Sequence, residues 1–186
     1  MKKFPLIIIA LCAALASASA AQKPNILLIL ADDLGYGDVR CYNDQSKVAT
    51  PHLDRLAREG MRFTDAHSPS TVCTPTRYSL MTGQMAFRVP NGGAVFQGAG
   101  GPSLIAPGRL TLPAMLKKQG YATAAVGKWH VGLTFRDEAG EPIHSGKLEE
   151  VKRIDFSRRV EGGPVDHGFE KFFGTACCPT TDWIYA

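Results

Sequence analysis

Three short segments of the chain carry side chains that could do chemistry, and VCTPTR is the first of them. It places Cys73 at the start of a predicted helix, with Arg77 one helical turn further on. A helix N-terminus presents unpaired N–H groups and the positive end of the helix dipole, which together favour an anion. An arginine at this spacing can hydrogen-bond whatever residue 73 presents. The segment therefore predicts either an anion site or a buried structural cysteine beside a surface arginine.

The second segment is ADDLGYGD, in which Asp32 and Asp33 directly follow an apolar run. Successive side chains of a strand point to opposite faces, so both carboxylates can reach one ion only if the chain leaves the strand there. Gly35 and Gly37 make such a turn easy. Paired carboxylates suit a hard cation such as calcium or magnesium. A solvated turn with a capping aspartate is the alternative.

The third segment is GKWHVG, which holds Lys128 and His130 two residues apart. On an extended chain these two side chains share a face, while Trp129 points the other way. A cation beside an imidazole suits binding of an anionic group and proton transfer, although a lone histidine is more often a packed or surface residue. Together, the three segments indicate a hydrolase or a binder of a sulfate or phosphate group.

The elements that must position these residues alternate between strands and helices. Strands are predicted over the apolar run at 25–31, over MRFTDAH at 61–67 and over YATAAV at 121–126. The order predicts an α/β fold with a largely parallel central sheet flanked by helices, in which ligands collect where strands end and helices begin. Capping and stop signals predict the helices from Thr50-Pro51 to Gly60, from Thr74 or Pro75 to Gly83, and over 111–120.

Two further stretches are predicted to be irregular. The glycine-rich segment 91–103 lacks the strand-to-helix context of a phosphate-binding loop and is interpreted as a plain loop. Residues 136–164 are charged and interrupted by Gly and Pro, which predicts a surface insertion.

The N-terminus has the pattern of a signal peptide over residues 1–20. Lys2 and Lys3 precede an apolar stretch from 4 to 16, and small residues at 18–20 form a cleavage site. The protein is therefore expected to be exported to the periplasm or secreted. No later run approaches the ~18 apolar residues of a membrane span. Without the two lysines of this segment, 19 basic and 17 acidic residues remain, a net charge of +2 that is too small to indicate a nucleic-acid partner.

The remaining cysteines are too few and too irregularly spaced to predict a disulfide framework or a zinc site. They are Cys41, Cys73, Cys177 and Cys178. Adjacent cysteines rarely pair, so in an oxidising compartment the predicted bridge joins Cys41 to Cys177 or Cys178. The chain stops on an aromatic run without a polar tail, which predicts the front part of a longer protein, incomplete at its C-terminus.

CTPTRYSLMTG resembles the signature of the type I, formylglycine-dependent sulfatases, an arylsulfatase-like family of the alkaline-phosphatase-like superfamily. ADDLGYGD, TPHLDRLAREGMRFTDAH, GKWHVG and HGFEKFFG match the N-terminal landmarks of this family in the same order. The resemblance covers residues 24 to about 178 and implies that residues 21–186 are the N-terminal portion of a sulfatase catalytic domain.

This resemblance implies a chemical role for Cys73. In the family, a formylglycine-generating enzyme oxidises the cysteine to Cα-formylglycine, and Pro75 and Arg77 form the core of the recognised sequence. Thr76 departs from the serine that many members have at this position. The hydrated aldehyde attacks the sulfur of a sulfate ester, and its second hydroxyl then expels sulfate. The implied activity is hydrolysis of sulfate esters, with an aryl sulfate or a sulfated saccharide as substrate.

The resemblance also implies roles for the other candidate residues. Arg77 and Lys128 would steady the diol, Lys128 would also reach the sulfate, and His130 would help to remove the proton in the second step.

A metal ion is implied as well. Asp32 and Asp33 would hold calcium, or else magnesium, together with an oxygen of residue 73. An Asp-Asn pair, a further lysine and a histidine of the family pattern are expected beyond residue 186, so the 186-residue piece alone is predicted to be inactive.

Two alternatives remain open at this stage. A phosphodiesterase or phosphonate monoester hydrolase of the same superfamily would use the same machinery on another ester. A non-catalytic secreted protein that binds sulfated glycans would keep the fold, although such a protein has no need of an oxidisable Cys73. The resemblance implies that the loops at 84–110 and 134–164 carry part of the substrate specificity and that most of it lies beyond residue 186.

Overall fold

A computed structural model of the chain describes residues 23–89 and 101–178. The predicted signal peptide and most of the predicted glycine-rich loop lie outside these ranges. The chain divides into two compact units, residues 1–54 and 55–186. In the described ranges, no helix has the length and apolar character that a membrane crossing requires.

In the first unit, the apolar run at 25–31 does not form the predicted buried strand. These residues have no strand partner among the described residues, and Leu27 and Ile29 are 84% and 78% exposed. A strand exists only through hydrogen bonds to a neighbouring strand. The described part of this unit supplies none, so the strand prediction is wrong here.

Helix α1 spans Pro51–Glu59, as predicted from the Thr-Pro start and the glycine stop. Its first turn is closed by a hydrogen bond of 2.9 Å from the Asp54 N–H to the Thr50 carbonyl. The Thr50 hydroxyl, which was predicted to cap this helix, accepts the backbone N–H of Arg40 at 2.9 Å and donates to the Asp54 carboxylate at 3.1 Å. Thr50 therefore joins the preceding loop to the start of the helix.

Two predicted helices of the second unit are confirmed. Helix α2 spans Cys73–Thr82 and ends at Gly83, whose φ of 64° is the left-handed conformation typical of a helix C-terminus. Helix α3 spans Leu112–Lys118, and the side chain of Thr111 caps it by accepting the Ala114 N–H at 3.3 Å. The cap residue thus located the start of α3 and the glycine stop located the end of α2, whereas α2 begins at Cys73, just before the predicted start at Thr74 or Pro75.

The sheet of the second unit is a parallel pair of strands. Strand β1 spans Ala124–Lys128 and strand β2 spans Lys171–Thr175, with Ala124 opposite Lys171 and Lys128 opposite Thr175. The α/β class with parallel strands is therefore confirmed. Strand β1 lies slightly later than the predicted 121–126 because pairing with β2, which the sequence analysis did not predict, sets its limits.

Residues 61–67, predicted as a strand, are irregular in this structure. Met61 and Phe63 are 79% and 64% exposed, and no described strand pairs with the segment. As at 25–31, the apolar pattern alone did not provide the partner that a strand needs.

Residues 136–164 are more than the predicted surface insertion. Ile143 and Ile154 are 1% and 7% exposed and belong to the core of the second unit. The segment is held by isolated bridges between extended residues and by a short helix α4, Leu148–Val151. Asp137 is buried and forms an ion pair with Arg153. The other large side chains of this core are Tyr78, Met81, Ile105, Trp129, Val131, Leu133 and Phe135.

Candidate active site

Lys128 ends β1 and His130 follows it closely, and both side chains lie on the same side of the sheet edge, next to Cys178. The Trp129 and His130 N–H groups donate to the carbonyls of Thr175 and Ala176 at 3.0 and 2.9 Å, so the chain stays next to β2. Trp129 turns into the core, where it is 5% exposed. His130 has a φ of 57°, a left-handed conformation that costs a non-glycine residue about 1–3 kcal/mol. Such strain at a buried imidazole is typical of a functional site.

Cys73 is the first residue of α2, and the structure brings it to Lys128. The Lys128 ammonium nitrogen lies 3.2 Å from the Cys73 sulfur, and both residues are half-buried. Residue 72 before the helix provides no side-chain cap. The start of α2 therefore places the thiol beside a cation and at the positive end of the helix dipole, which is an arrangement suited to negative charge.

Arg77 connects the same helix to the end of β1. Its guanidinium donates a hydrogen bond to the backbone carbonyl of Lys128. A contact of Arg77 with residue 73 stays a prediction, whereas the hydrogen bond to the Lys128 carbonyl fixes the strand from which the lysine projects.

His130 and Cys178 complete this group. His130 is 1% exposed, and its Nδ1 lies 3.9 Å from the Cys178 sulfur. The Lys128 nitrogen is 3.7 Å from the same sulfur. Cys178 was not among the predicted site residues, and no local spacing pointed to it. It reaches the group because β2 runs parallel to β1 and delivers the residues that follow it to the same edge.

The cysteines do not form the predicted bridge. Cys41, Cys73, Cys177 and Cys178 are all thiols, and there is no disulfide within the described ranges. Cys177 is buried, and its sulfur lies 3.6 Å from the carbonyl oxygen of Cys178. The pairing predicted for Cys41 is therefore wrong in this structure.

Asp32 and Asp33 belong to the first unit, where both are exposed. Asp33 has a φ of 60°, so the chain leaves the extended conformation at this residue. This satisfies the geometric condition under which neighbouring carboxylates can face one ion. Their role as metal ligands remains a prediction.

The HGFEKFFG segment packs against Trp129, which lies between the site residues Lys128 and His130. The His167 carbonyl accepts the hydroxyl of Thr111, the capping residue of α3. The His167 ring accepts or donates a hydrogen bond of 3.0 Å to Ser103 and stacks on Trp129 with ring centres 6.2 Å apart. Burial lowers the pKa of His167, although Asp166 opposes the shift. This histidine therefore holds the back of the Lys128–His130 segment.

Comparison with known proteins identifies the family. The sulfatase family profile matches residues 24–183. The chain belongs to the sulfatase family, as the motifs predicted.

Individual relatives agree with this assignment. The chain is 38% identical over 170 residues to the steryl-sulfatase of Mus musculus, which covers 88% of this chain and 23% of that protein. It is 50% identical over 122 residues to an N-acetylgalactosamine-6-O-sulfatase of Bacteroides thetaiotaomicron, covering 61% of this chain and 22% of the relative.

A solved structure shares the fold. It is described under the metabolism of multiple glycosaminoglycans by Bacteroides thetaiotaomicron, and it superposes with a TM-score of 0.73 at 35% identity. The match covers 89% of this chain and 31% of that one. The chain thus spans about a quarter of the length of the curated relatives it matches.

Proposed function

We propose that the protein hydrolyses sulfate esters and releases inorganic sulfate. The observation that carries the proposal is the meeting of Cys73, Lys128 and His130 at the N-terminus of α2. This group combines a modifiable nucleophile, a cation and a buried imidazole. Membership of the sulfatase family supports the same reaction.

Residue 73 would act as Cα-formylglycine, formed from Cys73 by a formylglycine-generating enzyme that recognises CTPTR. The modified residue supplies a hydrated aldehyde, whose hydroxyl is the nucleophile. A thiol at this position would attack the sulfur, release the alcohol and leave an S-sulfocysteine adduct, which has no second hydroxyl to expel sulfate. The modification is therefore chemically required by the proposed turnover.

Lys128 would hold the negative charge of the reacting group. Its ammonium nitrogen already lies 3.2 Å from the side chain of residue 73, within hydrogen-bonding distance of an oxygen placed there. Arg77 donates to the Lys128 carbonyl and so keeps the strand end in place. A fixed cation of this kind stabilises charge that develops in the transition state.

His130 would take the proton from residue 73 in the step that releases sulfate. The ring is 1% exposed, and its backbone N–H is tied to Ala176. This burial restricts the ring to the site and keeps bulk water away from it. A histidine is suited to proton transfer near neutral pH.

Calcium, with magnesium as the alternative, would be held by Asp32, Asp33 and an oxygen of residue 73. The donor chemistry fits because carboxylates are the ligands that these hard cations prefer, whereas a thiol sulfur is a soft ligand. When bound, the ion supplies positive charge to the sulfate oxygens. Oxidation of Cys73 would thus also provide the third oxygen ligand.

The substrate would be an aryl sulfate or a sulfated saccharide, met after export to the periplasm or the exterior. Two relatives are named a steryl-sulfatase and an N-acetylgalactosamine-6-O-sulfatase, so a first screen includes steryl sulfates and sulfated amino sugars beside aryl sulfates.

The test combines two measurements on the full-length protein from its native host. Mass spectrometry of the peptide that carries residue 73 is expected to show the aldehyde or its hydrate. The same preparation is expected to release sulfate from an aryl sulfate, whereas Cys73→Ala loses this release and Cys41→Ala retains it. Faster hydrolysis of the matched phosphate or phosphonate esters would instead establish the phosphodiesterase alternative. An unmodified thiol without turnover would favour a glycan-binding protein.

A further inference from the structure

Cys178 is a nucleophilic side chain at the site for which the proposed hydrolysis has no use. Its sulfur, the Cys73 sulfur and a ring nitrogen of His130 all lie within 4.8 Å of one another. His130 is buried, and the two cysteines are half-buried. Two thiols and one imidazole therefore lie close enough together to serve as ligands of one metal ion.

The chemistry of this set differs from that of the predicted calcium site. Thiolate and imidazole are the ligands of Zn²⁺ and related thiophilic cations, and they do not suit calcium. In a tetrahedral zinc site, with Zn–S of about 2.3 Å and Zn–N of about 2.0–2.1 Å, the ligand atoms are roughly 3.5–3.8 Å apart. The 3.9 Å between the Cys178 sulfur and His130 Nδ1 is close to this value. Small side-chain rotations would therefore close the set around one ion, with a fourth position left for water.

Lys128 contacts the sulfur atoms of both cysteines. Its ammonium nitrogen lies 3.2 Å from the Cys73 sulfur and 3.7 Å from the Cys178 sulfur, so it can donate to each. Hydrogen bonds from such an outer-shell donor orient the ligands of a metal. A protonated lysine cannot itself be a ligand, so it supports the set without competing for the ion.

We propose that the protein in which Cys73 has not been converted binds Zn²⁺ through Cys73, His130 and Cys178. Binding replaces the two thiol protons, which pass to solvent. Conversion removes the sulfur of residue 73 and therefore abolishes this site. The binding itself does not depend on the proposed hydrolysis; only its loss on conversion rests on that function.

The test uses the full-length protein in its unconverted form, as verified by the mass of the peptide that carries residue 73. Zinc affinity is measured by competition with a chromophoric chelator, and Co²⁺ is used as a spectroscopic probe of thiolate ligation. The Cys178→Ser variant removes one proposed ligand. The Cys41→Ser variant removes a thiol in the first unit and is the matched control. Thermal melting without metal compares the folding of the three proteins.

The unconverted protein is expected to bind one Zn²⁺ per chain and to show a thiolate-to-cobalt absorption band. Cys178→Ser should reduce the cobalt band and weaken zinc binding by at least about 10–100-fold. Loss of an outer-shell partner alone typically costs this much, and Cys178 is proposed as a direct ligand. Cys41→Ser should change neither the zinc affinity nor the cobalt band. The proposal is wrong if a normally melting Cys178→Ser variant binds zinc as tightly as the wild type does. It is also wrong if the wild type shows no thiolate-to-cobalt absorption band.

If Cys178→Ser melts abnormally, the proposal is tested on the unconverted wild type alone. Alkylation of its thiols, followed by mass mapping, should show that Zn²⁺ protects Cys73 and Cys178 but leaves Cys41 reactive. Equal labelling of Cys73 with and without zinc would exclude the site. Sulfate release by converted protein is a separate measurement, so failure of the zinc site leaves the proposed hydrolysis untouched, and the reverse also holds.

Discussion

At the scale of single residues, the site consists of a few side chains whose chemistry was readable before their neighbours were known. Cys73, Lys128 and His130 were selected because of their types and their positions beside predicted helix starts and strand ends. The structure adds the distances, of which the 3.2 Å between the Lys128 nitrogen and the Cys73 sulfur matters most. In the proposed reaction, this contact means that a change of the lysine acts directly on the nucleophile at residue 73.

Replacing Lys128 tests that contact. Lys128→Met keeps most of the side-chain volume but removes the charge, and it is expected to lower kcat by about 10²–10³-fold, as loss of one transition-state donor typically does. Lys171→Met removes an exposed lysine from β2 and should leave the rate unchanged. The rates are measured by sulfate release from an aryl sulfate. If the rate of Lys128→Met lies within a factor of two of the control rate, the lysine has no role in the mechanism. This factor corresponds to roughly 0.4 kcal/mol in the activation barrier.

At the scale of secondary-structure elements, the pairing of β1 with β2 decides where the site residues lie. The strands approach closely at Gly174 and Gly127, because a Cβ at Gly174 would lie only 1.8 Å from the Gly127 carbonyl oxygen. A side chain at this position would push β1 away from β2. Since Lys128 follows Gly127 directly, the displacement would reach the site.

The substitution Gly174→Ala is therefore expected to lower both stability and activity. Overpacking costs about 1–3 kcal/mol, and here the clash is with backbone that cannot rotate away. Urea unfolding of the full-length protein gives the change in the free energy of unfolding. Gly37→Ala is the control, since its added Cβ meets the nearest atom at 3.5 Å, an ordinary contact. Equal stability of the two variants would contradict the close approach of the strands.

At the scale of the whole molecule, buried groups behind the site make stability depend on pH. Burial lowers the pKa of His167, so the folded protein favours the neutral ring. A group with a lowered pKa in the folded state contributes its full stabilisation above its unfolded pKa of about 6.5 and loses it as the pH falls through the folded value.

The melting temperature is thus expected to fall between about pH 7.5 and pH 5, in part because of His167. His167→Gln should make this fall shallower, since the ring no longer takes up a proton on unfolding. His52→Gln, an exposed position on α1, should reproduce the wild-type slope. Thermal melting at several pH values measures all three proteins, and identical slopes for His167→Gln and the wild type would show that this ring does not couple to folding.

The length of the chain leads to a second prediction at this scale. The 186 residues correspond to about a quarter of the matched relatives, and apolar residues of the sheet such as Val126 and Phe173 are 83% and 76% exposed. A purified piece limited to residues 23–186 is therefore expected to release no sulfate even when residue 73 is converted. Measurable release by such a piece in a direct sulfate assay would prove the prediction wrong.

Local signals were sufficient for the helices and for the types of the site residues. Threonine and proline located the starts of α1 and α3, and Gly83 located the end of α2, because a helix closes its hydrogen bonds within one segment. The residue types of CTPTR and GKWHVG were likewise enough to indicate anion chemistry, and their pattern identified the sulfatase family. These features depend on residues that are close together in the sequence and need no contact with a distant part of the chain.

Only the tertiary structure decided the strands and the membership of the site. The apolar runs at 25–31 and 61–67 carried a strand pattern but form no strand in the described structure, while β2 was missed, because a strand depends on a neighbour that can be far away in sequence. For the same reason, Cys178 joined Cys73 and His130 although no spacing linked them. The sequence determined which chemical groups were available, whereas the parallel pairing of β1 and β2 determined which of them meet, since only folding brings groups that are distant along the chain within a few ångströms.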